Sequence, residues 1–253
     1  MKIKTAFVFL IMASILIIGC EKNEKIEGKV EDIFGNPLKD VTIKIQKSTF
    51  SSTTDGSGSY SLDYAPGTIA LVFSKPGFTT SNLELNIQQK TRYPAEVITL
   101  YPIPQEDGVF YIDIANRRLV KLEENGKIET IKPKDYFSLS TSYRHYARNY
   151  NPLTLTIKSG KAMFIDRSPY KARFSSVKEN GLIYGGNSNI EGNDVYSGFL
   201  QDAVSKIGDE KLIIRTVELS TGSYALVNML GNNDNIPKEG GSVFGFQVEA
   251  AAK

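Results

Sequence analysis

From Ile26 onward, apolar and polar positions alternate along the chain, which is the pattern of strands with one buried face. Ile26, Gly28 and Val30 fall together. Beyond a turn at Gly35-Asn36-Pro37, Val41, Ile43 and Ile45 fall together, while Thr42, Lys44 and Gln46 take the opposite face. The connection KSTFSSTTDGSGS, residues 47–59, is too polar for a core. Tyr60, Leu62 and Tyr64 then alternate, Ala65-Pro66-Gly67 turns the chain, and Ile69, Leu71 and Phe73 make a third strong run. Lys75-Pro76-Gly77-Phe78 has proline and glycine where a type II turn needs them. Leu83, Leu85 and Ile87 follow, and Val97 to Leu100 closes the series. Short strands at this spacing, with no helical period, predict a β-sandwich over 26–101.

Pro102-Ile103-Pro104-Gln105-Glu106-Asp107 reads as a stiff linker, 102–107, because its prolines cannot donate to a ladder. Strand-like runs then recur over 108–249. They are Val109 to Ile114, Leu119 to Leu122, Lys127 to Ile131, Leu153 to Ile157, Ala162 to Ile165, Arg173 to Val177, Leu212 to Leu219, Tyr224 to Val227 and Val243 to Val248. Glu124-Asn125-Gly126 predicts a hairpin turn. Gln201 to Lys206 predicts a helical turn or two, and GGNSNIEGND, Gly185 to Asp194, an exposed loop. The fold class is therefore all-β, a sandwich followed by a second β-rich domain.

Composition narrows the chemistry. The 253 residues include one cysteine, one histidine and no tryptophan. One cysteine excludes an intramolecular disulfide and every multi-thiolate zinc site. One histidine leaves a single imidazole base, His145. The formal charge of +2 comes from 30 basic and 28 acidic side chains, and Lys2 and Lys4 alone account for the excess. With neither half carrying a basic stripe, nucleic acid is not expected as a partner.

The first residues explain where those two lysines belong. MKIKTAFVFLIMASILIIGC has a basic start and an apolar run of thirteen residues, Ala6 to Ile18. A membrane-spanning helix needs ~20, whereas a secretory signal needs about 7–15. Leu16-Ile17-Ile18-Gly19-Cys20, followed by the polar EKNEKIE, resembles the lipobox of bacterial lipoproteins. The resemblance implies cleavage after Gly19, so that 1–19 is a signal peptide, a diacylglycerol and an acyl chain (palmitate or similar) on Cys20, and a short tether over 20–25. Membrane attachment through Cys20 follows, since each buried methylene adds ~0.8 kcal/mol. Outer membrane is the expected location, with its periplasmic and outer faces left open.

Three stretches of the first domain carry a second resemblance: GKVEDIFGNPLKDVTI (Gly28 to Ile43), TTDGSGSYSL (Thr53 to Leu62) and APGTIALVFSKPGF (Ala65 to Phe78). In this order they resemble the carboxypeptidase regulatory-like family, which implies a transthyretin-like sandwich of about seven strands. The family is mostly an accessory module and brings no catalytic residues to carry over. The second domain is assigned to no family.

Several constellations remain to be weighed. Asp55 in TTDGSGS echoes a calcium loop but lacks the further acids and closing glutamate, so a tight turn is expected. Asp135 to Tyr150 carries Tyr143, Arg144, Tyr146 and Tyr150, flat apolar plates beside orienting polar groups, which makes them the candidate contacts for a glycan or peptide. Core packing of Tyr143 and Tyr146 is the competing reading. A relay of His145 with Ser140 or Ser142 and Asp135 or Asp166 lacks a nucleophile elbow. Gly181 to Gly186 lacks the lysine of a phosphate loop. No catalytic set, metal site or cofactor is therefore assigned. The expectation is a non-enzymatic envelope lipoprotein of the adhesion or scaffold type, meeting an envelope protein or glycan. The alternatives are a secreted hydrolase acting on glycan or peptide, and an accessory lipoprotein of an outer-membrane uptake complex.

Overall fold

A computed structural model describes residues 25–63, 67–87, 96–131, 142–148, 155–168, 172–178, 182–187, 196–197, 199–207, 212–230 and 233–251. Every regular element among them is a strand, so the chain is all-β. It divides into two compact units, one taking residues up to 31, 37–74 and 82–98, the other 32–36, 75–81 and 99 onward.

The first unit is built on β1 (Lys25–Asp32), β2 (Thr42–Ile45), β3 (Ser51–Thr53), β4 (Ser59–Asp63), β5 (Gly67–Ser74), β6 (Ser81–Ile87) and β7 (Val97–Leu100). They form a three-stranded sheet, β4-β1-β7, and a four-stranded one, β3-β2-β5-β6. The alternation seen in the sequence is the burial pattern: Ile26, Val30, Val41, Ile43, Leu62, Leu71 and Phe73 are all buried. Gly28 stands opposite Tyr60 in the β1–β4 register, and the Tyr60 ring lies so close that a methyl on Gly28 would sit 2.6 Å from the phenol oxygen. Tyr60 then meets Phe73 edge to face at 5.5 Å. Thr54 is buried between turns, accepting from Val41 N–H at 2.9 Å and donating to the Leu38 carbonyl.

The second unit holds β8 (Val109–Asp113), β9 (Arg118–Lys121), β10 (Gly126–Ile131), β11 (Ser142–Arg148), β12 (Thr156–Lys158), β13 (Gly160–Asp166), β14 (Ala172–Ser176), β15 (Leu182–Asn187), β16 (Tyr196–Ser197), β17 (Asp202–Ile207), β18 (Leu212–Leu219), β19 (Gly222–Leu230), β20 (Asn233–Pro237) and β21 (Ser242–Glu249). Five make one sheet, β17-β18-β13-β8-β9. The rest make a larger sheet along β14-β19-β21-β10-β11-β15-β16, with β12 on β21 and β20 on β19. Between the sheets lie Val109, Phe164 and Val217 from one side and Phe174, Leu226 and Phe246 from the other. Phe164 meets Phe174 at 4.8 Å and Phe246 at 5.9 Å.

The larger sheet curls. Tyr196 and Ser197 pair with β15 at one end of its strand path, yet Phe199 bridges Ser175 of β14 at the other. Leu200 N–H donates to the Phe174 carbonyl at 2.9 Å, so one short stretch joins both ends. Ile128, Ala147, Val177, Ala225, Val227, Met229 and Val243 form a separate cluster on the face away from the other sheet, with Phe199 packed against it. Both faces of β19 are thus apolar, which is why Tyr224 to Val227 reads as a continuous run rather than an alternating one.

Three sequence expectations change here. Gln201 to Lys206 is not helical; Asp202 to Ile207 is β17, the end strand of its sheet. Asn125-Gly126 does not close a hairpin, because β9 and β10 belong to different sheets. Instead the Asn125 side chain mimics a strand beside β21, accepting from Gly245 N–H at 2.7 Å and donating to its carbonyl at 2.9 Å. Finally, Gly185 to Asn187 lies in β15 rather than in a loop, and residues 188–194 lie outside the described residues.

Candidate functional site

Of the aromatic segment singled out in the sequence, Ser142–Arg148 is a strand, β11. β11 runs between β10 and β15, with His145 opposite Thr130 on one side and Tyr184 on the other. Of the β11 residues only Tyr146 and Ala147 have described side chains, and both are buried. Tyr146 is 9% exposed, which leaves little of its ring for an incoming ligand. Tyr150, Asp135 and Ser140 lie outside the described residues, as does Cys20.

Of the relay candidates, Ser142 and His145 lie in β11 of the larger sheet. Asp166 is on β13 of the other sheet, 2% exposed, with both carboxylate oxygens engaged. One accepts from Arg215 Nε at 2.6 Å, the other from Ser168 N–H at 2.9 Å and from the Ser168 hydroxyl.

Arg215 is a group that sequence reasoning passed over. It sits on β18 within LIIRTVEL, a charged residue on a face otherwise holding Val217 and Leu219. That interruption of an apolar run was the available signal, since arginine is almost never buried unless paired. Its Nη1 donates to Asp202 on β17 at 2.8 Å, and Nε to Asp166 on β13. One guanidinium thus ties three neighbouring strands. Burial opposes its charge, but Asp166 and Asp202 outweigh that opposition and hold its pKa above the ordinary arginine value. Such a network is built for rigidity, with no oxygen of Asp166 left to act as a base.

Asp55 is the turn residue expected. Its Oδ1 accepts from Ser57 N–H at 2.8 Å, the Ser57 hydroxyl at 2.7 Å and Ser59 N–H at 3.0 Å. These bonds, led by the Ser57 hydroxyl, hold the carboxyl below its usual pKa. Among the described residues no three acids, histidines or cysteines are grouped to hold a metal ion.

Residues 25–100 match the carboxypeptidase regulatory-like domain family. No curated protein matches the chain. Among solved structures, a chain of the type II cohesin–X-dockerin complex from Acetivibrio cellulolyticus is 18% identical over 31% of this chain and 58% of its own, with a TM-score of 0.25. A protein described as carbohydrate-binding from Bacteroides uniformis is 8% identical over 89% and 99%, with a TM-score of 0.24. The TIE protein of Bacillus anthracis is 10% identical over 90% and 48%, with a TM-score of 0.26. The chain spans little more than half of the first of these and just under half of the third.

Proposed function

With residues 25–100 a carboxypeptidase regulatory-like domain, we propose that the chain is a non-enzymatic lipoprotein of the cell envelope, serving as a membrane-anchored structural or binding module. The observation that carries this reading is Cys20. It is the only cysteine, and it follows Gly19 at the end of an apolar run too short to span a bilayer. Acylated there, the chain is held at the outer membrane, with the accessory module nearest the lipid in sequence and the second unit beyond it. An envelope protein or glycan is the proposed partner, and recognition sits in the second unit. Of the four contact candidates, Tyr143, Arg144 and Tyr150 carry the contact, while Tyr146 serves the core.

Metabolic labelling with palmitate tests the anchor. Wild-type protein incorporates label and partitions with membranes; Cys20→Ala loses the label and stays at precursor size. A Cys20→Ala protein processed and membrane-bound like wild type overturns the reading. For the partner, a glycan and peptidoglycan array probed with the full chain separates the two classes. Tyr143→Ala then lowers binding by the ~2 kcal/mol of a hot-spot tyrosine, some thirtyfold.

A further inference from the structure

Edge strands are usually guarded, and most edges of the second unit obey that rule. β9 is four residues bounded by Arg118 and Lys121, and the free side of β14 is taken up by Phe199 and Leu200. β17 is different. Its register with β18 runs unbroken from Asp202↔Val217 to Ile207↔Leu212, without a bulge or a proline. Ala203 to Lys206 are exposed throughout, and Val204 is 51% exposed, one of four large apolar side chains so open among the described residues. Among the described residues no strand pairs with its other side, and an open edge is a template for another strand.

The charges nearby point to which strand. Arg215 supplies one positive charge to two nearly buried carboxylates, Asp166 and Asp202, so the cluster is left with one negative charge in excess. Among the described residues, no second cation reaches either acid. Lys206 shares the Asp202 face of β17, but four residues of strand separate them by about 13 Å.

From these observations we propose that β17 pairs antiparallel with β17 of a second copy of this chain, about a two-fold axis at Val204. In that register Asp202 of each copy faces Lys206 of the other, twice over, and Val204 packs on Val204. Each excess negative charge then has a cation directly across the ladder. Slipping by one residue is forbidden, because the outward N–H and C=O groups alternate along an edge. Slipping by two sets Val204 against Lys206 and removes the charge match. A five-residue ladder buries less than the ~1,200 Å² of a stable interface, so the association is weak and concentration-dependent.

Cysteine cross-linking in the full chain tests it. Residues directly opposite in an antiparallel pair have Cα atoms about 4.5–5.5 Å apart, inside the range a disulfide spans. Val204→Cys therefore forms a disulfide-linked dimer under mild oxidation. Lys206→Cys, whose equivalent lies four residues away across the axis, does not, and unsubstituted chain reports any background from Cys20. Adding Lys206→Asp to Val204→Cys sets like charges opposite and lowers the cross-linking rate at least tenfold. Both positions are exposed, so the fold tolerates these changes, and circular dichroism confirms it. Cross-linking of Val204→Cys no faster than that of Lys206→Cys overturns the pairing. A rate unmoved by Lys206→Asp overturns its register.

Discussion

Gly28 shows how one position can be fixed by its neighbour rather than by its own backbone. It lies within β1 with an ordinary extended conformation, yet the Tyr60 ring covers it so closely that a Cβ would stand 2.6–2.8 Å from three ring atoms. Burial pushes the Tyr60 phenol up to about 12, with the Glu96 charge adding to it, so the ring stays neutral at any physiological pH. Gly28→Ala must therefore displace Tyr60 from its edge-to-face contact with Phe73. Overpacking of this kind costs about 1–3 kcal/mol. Urea denaturation of Gly28→Ala should show that loss, and Gly28→Ala combined with Tyr60→Leu should recover part of it. Equal stability of Gly28→Ala and wild type would show that the ring moves freely.

At the scale of elements, apolar alternation in the sequence marked most of the strands with a buried face. Val243 to Val248 alternates cleanly and became β21; Leu212 to Leu219 became β18. Asp202 to Ile207 has exposed residues throughout its middle, so no alternation marks it, and Ala203-Val204 side by side mimics a helical turn. Its strand state comes from β18, a tertiary partner that overrides local preference. Ser142 to Arg148 was legible as chemistry but not as a strand, because no apolar alternation marks it and its register with β10 and β15 does. Asn125-Gly126 failed for a related reason: turn chemistry says where a chain can bend, not which strand it will meet. The Asn125 side chain makes two bonds with Gly245, and its own N–H donates to Val243 at 2.9 Å. Asn125→Ala removes both side-chain bonds and should cost about 1–3 kcal/mol, from ~0.5–1.5 for each bond lost. Hydrogen exchange at Gly245, protected in wild type and fast in the variant, is the measurement that checks it.

For the molecule as a whole, the second unit depends on groups far apart in sequence. Arg215 links β13, β17 and β18, and its removal leaves two carboxylates buried without their cation. Arg215→Met should destabilise by about 3–5 kcal/mol in chemical denaturation, while Arg215→Met with Asp166→Leu and Asp202→Leu should lie near wild type or above it. A small effect of the single change would mean that water reaches the cluster. The place of β21 has a consequence for how the protein comes to be. It lies inside the larger sheet, flanked by β19 and β10, and Asn125 waits for a residue 120 positions downstream. Contacts of such sequence separation form late, because the connecting chain must be closed before any bond rewards it. The first unit pairs β1 with β4 across fewer than forty residues and can complete while synthesis continues. The five-stranded sheet needs nothing beyond Leu219, but the larger sheet cannot close until Glu249 has been made, so a nascent chain carries that half of the core open to water until late in its production.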